Sequence, residues 1–348
     1  KLYLKASTKV GAFFIVTFVK NNSLTPSEIF SIATSKSFEK MALKVFRFQY
    51  DHNAVYQEFC NLVKRDKSNV KALTDIPFLP IQFFKSHKIL SSQEPVAITF
   101  TSSGTSGMTT SKHLVTNLNF YKQSFRTAFS QFYGSIENYV ILALLPSYLE
   151  REGSSLIYMV EDMITQSNHP ESGFYLHNYE ELALKLEELD TSGQNVLLIG
   201  VTYALLDLIE KQSFHLKNTI IMETGGMKGK RKEMIREELH SLLCNGFGVS
   251  KIHSEYGMTE LLSQAYSLGD GVFECPQWMQ ILIRDTEDAL TYVSEGKTGG
   301  INVIDLANIN SCSFIATQDL GKKYPNHSFE VLGRFDNSDI RGCNLMVI

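Results

Sequence analysis

The segment NVLLIGVTYALLDLIEKQSFHLKNTIIME, residues 195–223, decides the fold class. It places a short apolar run at residues 195–200, a helical pattern at 203–212 and a second apolar run at 218–223 in succession. Near-continuous apolar strands separated by helices are typical of a parallel sheet that is covered on both faces. The segment therefore predicts a βαβ unit within an α/β fold.

The same alternation continues on both sides of this segment. The further strand candidates are residues 95–100, 139–145 and 250–256, and the further helix candidates are residues 154–165, 179–190 and 232–244. Because apolar runs of this kind alternate with helices over such a length, we expect several parallel strands in one layered sheet.

The flanking regions differ from this central part. Before it, Thr25, Pro26 and Glu28 form a capping-box pattern that begins a helical region. After about Phe273 the helical patterns stop, and alternation in period two predicts a small antiparallel β subdomain. The predicted organisation is an N-terminal extension and helical region at 1–90, a central α/β region at 91–272, and a β subdomain at 273–348.

Composition narrows the class of protein. The chain has 348 residues, 43% of them hydrophobic, and a formal net charge of −4, so nothing indicates a nucleic-acid partner. Five dispersed cysteines without a C-x-x-C pair favour a cytoplasmic protein and argue against a structural zinc site. The apolar run at 10–19 is too short to span a bilayer as a helix, so we expect a buried strand or an upstream extension, without stable membrane insertion. An export signal is the less favoured alternative.

The stretch FTSSGTSGMTTSKH, residues 100–113, follows the first predicted strand of the α/β region. Glycines let the backbone approach an anion, successive N–H groups form a concave donor site, and Lys112 adds a positive charge. The stretch is not a Walker A loop, because Ser111 precedes the lysine where that motif has glycine. Taken alone, it fits a solvated Ser/Gly turn as well as a phosphate-binding loop.

Three further motifs follow in order: HSEYGMTELLSQAY at 253–266, FIATQDLG at 314–321 and VLGRFDNSDIRGCNLMVI at 331–348. Together with the loop, they resemble the motifs of the adenylate-forming superfamily, which activates carboxylates with ATP. The helical N-terminal region, SSGTSG, IMETGGMKGKRKEMIREEL at 221–239 and the terminal SDIRGCNLM are more closely similar to the LuxE-like acyl-protein synthetases of bacterial bioluminescence operons. The likeness covers nearly everything except the first twenty residues.

This resemblance implies the fold and the nucleotide-binding residues. It also implies that residues 91–272 bind ATP and the substrate, and that residues 273–348 end in a truncated hinge. The implied fold is an acyl-adenylate synthetase-like N-terminal domain, with parallel sheets layered with helices and without the mobile C-terminal domain of ordinary acyl-CoA ligases. Tyr256 would border the adenine, and Asp319 would accept hydrogen bonds from both ribose hydroxyls. The residues implied in ATP binding are Ser103, Gly104, Thr105, Ser106, Gly107, Gly225, Gly226, Tyr256, Gly257, Asp319 and Arg334.

The resemblance also implies the catalytic residues. Thr259 would contact the α-phosphate, Glu260 would help to hold Mg²⁺, and Lys112 would neutralise charge on the departing pyrophosphate. The alternative for Thr259 and Glu260 is structural, since GMTELLSQA also fits the start of a helix. Cys343 matches the cysteine that accepts the acyl group in the bioluminescence synthetases, although a single cysteine is more often a small buried apolar residue.

Several departures from the superfamily pattern bear on the rate. Lys112 lies further from the last glycine of the loop than is usual, and the T-G-D motif reads Thr317-Gln318-Asp319. The lysine that drives adenylation in most relatives belongs to the C-terminal domain that we expect to be absent. We therefore expect slow adenylation that depends on Mg²⁺, the loop and Arg334.

The leading interpretation is an enzyme that uses ATP and Mg²⁺ to convert a carboxylic acid, with a fatty acid favoured, into acyl-AMP and pyrophosphate. Cys343 would then capture the acyl group and pass it to a partner reductase or another acyl acceptor protein. The runner-up is an AMP-forming acyl-CoA or small-carboxylate ligase. A third interpretation is a non-catalytic nucleotide-binding protein on the same fold.

Overall fold

The N-terminal region is helical, as its capping signals predict. The structure is a computed structural model that describes residues 24–102, 109–146, 153–225, 231 and 234–335. Thr25 caps the first helix: its Oγ1 accepts the N–H of Glu28 at 3.4 Å, and its own N–H donates to Glu28 Oε2 at 3.0 Å. The elements of this region are α1 (Pro26–Phe30), α2 (Ser35–His52), α3 (Ala54–Leu62), the 3₁₀ helix η1 (Leu73–Asp75), β1 (Leu79–Pro80) and α4 (Phe83–Ser86).

The first predicted strand of the α/β region does not join the large sheet. It forms β2 (Ile98–Thr101), which pairs antiparallel with β3 (Lys112–Val115) in a separate two-stranded sheet. Its predicted position among parallel strands was wrong, because its partner is the strand that closes the Ser/Gly loop. The two ends of this loop are therefore fixed by a hydrogen-bonded ladder.

The parallel part of the large sheet follows the predicted alternation. Its strands lie in the spatial order β5-β4-β6-β7-β8, all parallel, and every residue of β4 and β6 is buried. The elements are α5 (Leu118–Tyr133), η2 (Ile136–Asn138), β4 (Val140–Leu144), α6 (Ser155–Ser167), β5 (Gly173–Tyr175), α7 (Tyr179–Thr191), β6 (Val196–Val201), α8 (Thr202–Lys211), β7 (Thr219–Thr224), α9 (Arg236–Phe247) and β8 (His253–Tyr256). The βαβ unit predicted at residues 195–223 is confirmed as β6, α8 and β7.

Beyond β8 the same sheet continues with antiparallel strands, which begin at residue 265 and belong to the large sheet. The order continues as β8-β9-β10-β14-β13-β12-β11, with each neighbouring pair antiparallel, and β1 adds a short parallel pairing to β13. The strands are β9 (Ala265–Ser267), β10 (Val272–Glu274), β11 (Met279–Arg284), β12 (Thr298–Asp305), β13 (Phe314–Lys323) and β14 (Phe329–Arg334), with the 3₁₀ helix η3 (Leu306–Asn308) after β12.

Polar contacts tie the helical N-terminal region to this sheet. The buried Gln49 of α2 donates from Nε2 to the carbonyls of Asn308, at 3.1 Å, and Ile309, at 2.8 Å. Trp278, also buried, donates from Nε1 to the hydroxyl of Ser263 at 2.9 Å. These contacts fix η3 and the segment after β8, where the candidate site lies. Within the described residues, no helix is both long and apolar enough to cross a membrane.

Candidate functional site

The candidate site lies where β8 ends and the sheet changes from parallel to antiparallel. Tyr256, the last residue of β8, is 9% exposed, and its ring packs edge-on against Phe273 and Phe329. Its hydroxyl donates to Oδ2 of Asp319 at 2.8 Å. The buried tyrosine at a strand end therefore orients a carboxylate on β13, a contact that the sequence did not predict.

Asp319 and Arg334 are brought together by strand register. They face each other in the antiparallel pairing of β13 with β14, and Nε of Arg334 lies 3.3 Å from Oδ1 of Asp319. The arginine side chain is 80% exposed, whereas the Asp319 side chain is 12% exposed. A carboxylate held by a phenol on one side and a guanidinium on the other is a pre-oriented acceptor for ligand hydroxyls.

The segment after β8 is a turn rather than a helix. Residues 257–264 contain no helix, so the helix start considered for Thr259 and Glu260 was wrong. The carbonyl oxygen of Thr259 contacts Nδ1 of His113 at 2.8 Å, and the carbonyl oxygen of Glu260 accepts from Nδ2 of Asn308 at 2.7 Å. Side chains from β3 and η3 thus supply the backbone partners that a helix would have supplied.

Glu260 is buried beside the end of the loop. Glu260 is 5% exposed. This burial raises the pKa of its carboxyl, whereas a hydrogen bond from Ser111 lowers it. A carboxylate next to a hydroxyl offers hard oxygen ligands, the type that Mg²⁺ prefers, so the residues fit this cation. No group of three or more His, Cys, Asp or Glu side chains arranged for a metal occurs among the described residues.

The loop itself lies largely outside the described residues, which applies to Ser103, Gly104, Thr105, Ser106 and Gly107. Its ends are joined: Ser102 N–H donates to the Ser111 carbonyl at 3.1 Å, and Ser111 N–H donates to the Ser102 hydroxyl at 2.9 Å. Lys112, the first residue of β3, is exposed. Ser102 and Ser111 are therefore held together at the two ends of this stretch, and His113 joins β3 to the Thr259–Glu260 turn.

The glycines of the site have different surroundings. Gly225, directly after β7, adopts a φ of 79°, a conformation that favours glycine, and Gly226 lies outside the described residues. A Cβ on Gly257 would lie 2.5 Å from Oε1 of Glu255, so no other residue fits there without a shift. Cys343 also lies outside the described residues.

Two buried glutamates at the ends of β7 and β8 were missed by the sequence reasoning. Burial raises the pKa of Glu255 to about 7, although Thr224 donates to its Oε2 at 2.5 Å and opposes this shift. Burial also acts on Glu223, but His240, whose Nε2 lies 3.7 Å from Oε1, and the charge of Arg236, which donates to Oε1 at 2.8 Å, prevail and lower its pKa to about 2. Glu223 ends the apolar run at 220–222, and a carboxylate at that place was the available signal, whereas Glu255 lies between Ser254 and Tyr256 and gave no such signal.

Comparison with known proteins agrees with this architecture. The profile of a family described as "Acyl-protein synthetase, LuxE" matches residues 22–133 and 158–348. A long-chain-fatty-acid–luciferin-component ligase of Photorhabdus luminescens is 38% identical over 71 residues, which cover 20% of this chain and 60% of that relative.

Solved structures with little sequence identity have the same fold. An open conformation of 2-hydroxyisobutyryl-CoA ligase, in complex with 2-HIB-AMP and CoA, superposes with a TM-score of 0.63 at 13% identity and covers 87% of this chain and 70% of that chain. ATP-bound MatB from Rhodopseudomonas palustris superposes with a TM-score of 0.52 at 15% identity, covering 70% of this chain and 49% of that chain. The present chain thus matches about half the length of MatB. The predicted fold class is confirmed.

Proposed function

Because the chain belongs to the LuxE acyl-protein synthetase family, we propose that it activates a carboxylic acid with ATP and passes the acyl group to a protein acceptor. The observation that carries this proposal is the meeting of three elements at one edge of the sheet. The turn that contains Thr259 and Glu260 contacts β3 at the end of the loop. Just before this turn, Tyr256 at the end of β8 donates a hydrogen bond to Asp319. A phosphate-binding loop, a metal-binding carboxylate and a ribose-binding carboxylate would then line one nucleotide site.

In the first step, a carboxylate oxygen of the substrate attacks the α-phosphorus of ATP. A bond forms between this oxygen and phosphorus, the bond from phosphorus to the bridging oxygen breaks, and pyrophosphate leaves. Glu260 would hold the Mg²⁺ that accompanies ATP, which neutralises charge on the phosphates. Thr259 would donate to the α-phosphate, Lys112 would attract the leaving pyrophosphate, and Asp319 with Arg334 would orient the ribose.

In the second step, the thiolate of Cys343 attacks the acyl carbon of acyl-AMP. A thioester forms, the acyl–phosphate bond breaks, and AMP leaves with the electron pair. The thioester would then be handed to a reductase or another acyl acceptor. A long-chain fatty acid is the proposed substrate because the relative from Photorhabdus luminescens is named for that acid.

The test is the mass of the intact protein after incubation with ATP, Mg²⁺ and a series of carboxylic acids of increasing chain length. We expect the wild-type protein to gain the mass of the acid minus one water, and Cys343→Ser to gain nothing. Cys244→Ser is the matched control, because Cys244 is a half-buried cysteine of α9; it should be acylated like the wild type.

Other outcomes would replace parts of this proposal. Pyrophosphate release that depends on the acid, without an acylated protein, would favour a ligase with a diffusible product such as an acyl-CoA. If neither product appears with any acid or with an added acceptor protein, the chain is a nucleotide-binding protein without this activity.

A further inference from the structure

His113 occupies an unusual position between the loop and the Thr259–Glu260 turn. It follows Lys112 on β3, is completely buried, and its ring meets that of Phe84 edge-on, with 5.8 Å between the centroids. Its Nδ1 lies 2.8 Å from the carbonyl oxygen of Thr259, and its Nε2 lies 2.9 Å from Oδ1 of Asn308. Apolar packing alone would not need a polar ring at this place.

Asn308 completes the arrangement from the other side. Its Nδ2 donates to the carbonyl oxygen of Glu260 at 2.7 Å, and its own carbonyl accepts from the buried Gln49 at 3.1 Å. His113 and Asn308 therefore hold the two consecutive carbonyls of Thr259 and Glu260, and they also contact each other. We name this pair the carbonyl bracket.

The positions of the hydrogen atoms decide which contacts of the bracket are hydrogen bonds. The Thr259 carbonyl can only accept, so Nδ1 of His113 carries a hydrogen. The Glu260 carbonyl likewise takes the amide hydrogens of Asn308, which leaves Oδ1 facing Nε2. Because burial lowers the pKa of His113 to about 4, the ring is neutral near pH 7 and its one hydrogen stays on Nδ1. Nε2 then faces Oδ1 of Asn308 as a second acceptor, so this contact adds nothing to the bracket. The bonds to the two carbonyls are the ones that persist.

We propose that His113 and Asn308 are positioning residues that hold the Thr259–Glu260 turn in the geometry required for adenylation. This inference rests on the proposed function. Neither side chain needs to touch ATP; each acts through a backbone carbonyl of a residue that would. Because β3 follows the loop directly, the bracket also fixes the distance between Lys112 and the turn. These contacts with the backbone of the turn matter because small displacements of catalytic groups lower the rate of the catalysed reaction steeply.

The test compares His113→Phe with Val115→Ala. Phenylalanine keeps a ring against Phe84 but donates nothing to Thr259, whereas Val115 is a buried residue of the same strand whose side chain makes no hydrogen bond. For acid-dependent pyrophosphate release, we expect His113→Phe to lower kcat about 100-fold while KM for ATP changes less than about threefold. Val115→Ala should keep kcat within about twofold of the wild type.

Two further variants distinguish positioning from a general loss of packing. His113→Asn places an amide N–H near the position of Nδ1–H and should recover at least a tenth of the wild-type kcat. Asn308→Ala should also lower kcat, and the double variant with His113→Phe should lose less than the product of the two single losses, since the residues act on one turn. Full activity of His113→Phe, or equal loss in Val115→Ala, would overturn the proposal.

A measurement without nucleotide separates this inference from the proposed function. In the turn, the Leu261 N–H donates to the Met258 carbonyl at 3.0 Å. Hydrogen exchange over residues 257–264 should be faster in His113→Phe than in the wild type and unchanged in Val115→Ala. If the wild type releases no pyrophosphate but exchange follows this pattern, the proposed function fails and the bracket stands as a clamp on the turn. If exchange is alike in all three proteins, the bracket is refuted whatever the activity.

Discussion

The two halves of the large sheet place their polar groups differently. In the parallel half, β4 and β6 are buried throughout, and the buried carboxylates Glu223 and Glu255 lie near the carboxyl ends of β7 and β8. In the antiparallel half, β11 and β13 alternate between more and less buried residues, and Asp319 lies within β13. In the parallel half, the carboxyl ends of neighbouring strands lie side by side whatever the residues there. In the antiparallel half, Asp319 lies opposite Arg334 only because β13 and β14 pair in one particular register.

Each half also contains one buried aspartate that binds backbone amides. Asp190, at the end of α7, accepts from the N–H groups of Lys217 and Asn218 at the amino end of β7. Asp305, at the end of β12, accepts from the N–H groups of Leu262 and Ser263, at 2.7 and 3.0 Å. The first lies at the end of the sheet opposite the candidate site, and the second holds the segment that follows the Thr259–Glu260 turn. Removing each aspartate in turn therefore compares a backbone anchor far from the candidate site with one beside it.

The largest effect is expected when these aspartates are removed. Asp305→Ala and Asp190→Ala each leave two or more backbone N–H groups without an acceptor, so each should lower the free energy of unfolding by about 3–5 kcal/mol. Urea unfolding measures this loss. Only Asp305→Ala should also lower acid-dependent pyrophosphate release per folded molecule, by about tenfold or more, because, of the two aspartates, only Asp305 holds the segment that follows the Thr259–Glu260 turn.

An equal loss of activity in the two variants would show that activity follows global stability rather than the position of the aspartate. Activity assays must therefore be run at a temperature where both variants remain folded, as judged by circular dichroism. Retained activity in Asp305→Ala would show that the turn keeps its geometry without this anchor.

The difference between the halves also explains what the sequence could predict. The strands β4, β6 and β7 were predictable because apolar runs separated by helices have few other solutions. The strand β2 was wrongly placed in the parallel sheet because its sequence is apolar like that of β4. Its actual partner, β3, is a four-residue strand on the other side of the Ser/Gly loop. Pairing partners are set by tertiary contacts that local patterns do not contain.

The candidate site was predictable to a similar extent. Resemblance gave Tyr256, Asp319 and Arg334, and the fold brings these three together. It did not give the helix-free turn or the contact of His113 with Thr259. Those features depend on Asn308, which lies 195 positions from His113, and a pairing over that separation leaves no periodic trace in a single sequence.

A second prediction concerns the two glutamates of the parallel half. The pKa of Glu255 is raised from 4.5 to about 7 by burial, so the folded protein keeps this proton over a pH range in which the unfolded chain has lost it. Stability should therefore fall as the pH rises from about 4.5 to about 7, by about 3 kcal/mol in total from this group. In Glu255→Gln this part of the pH dependence should disappear, as measured by urea unfolding at pH 5 and pH 8.

Glu223→Gln is the matched control. The pKa of Glu223 is lowered to about 2, so its carboxyl is mostly ionised in both the folded and unfolded states above pH 5. This variant should lose a similar amount of stability at pH 5 and pH 8. Because burial is the largest cause of the raised pKa of Glu255 and the charge of Glu223 is a smaller one, most of the wild-type difference between the two pH values should remain. If Glu255→Gln retains the wild-type difference, another group carries the pH dependence.

The smallest effect on stability is expected when Arg334 is replaced. The replacement tests whether the register that places Arg334 opposite Asp319 matters for ATP binding. An ion pair with an 80% exposed arginine contributes little, so Arg334→Gln should change the free energy of unfolding by less than about 1 kcal/mol. Lys322→Met is the control, since Lys322 faces Glu330 at 3.9 Å in the same β13–β14 pairing. We expect both variants to unfold like the wild type, but only Arg334→Gln to raise KM for ATP, by about tenfold, because only Arg334 lies beside Asp319, the carboxylate proposed to bind the ribose. An unchanged KM would make Asp319–Arg334 an ordinary surface pair and leave Tyr256 as the partner that orients Asp319.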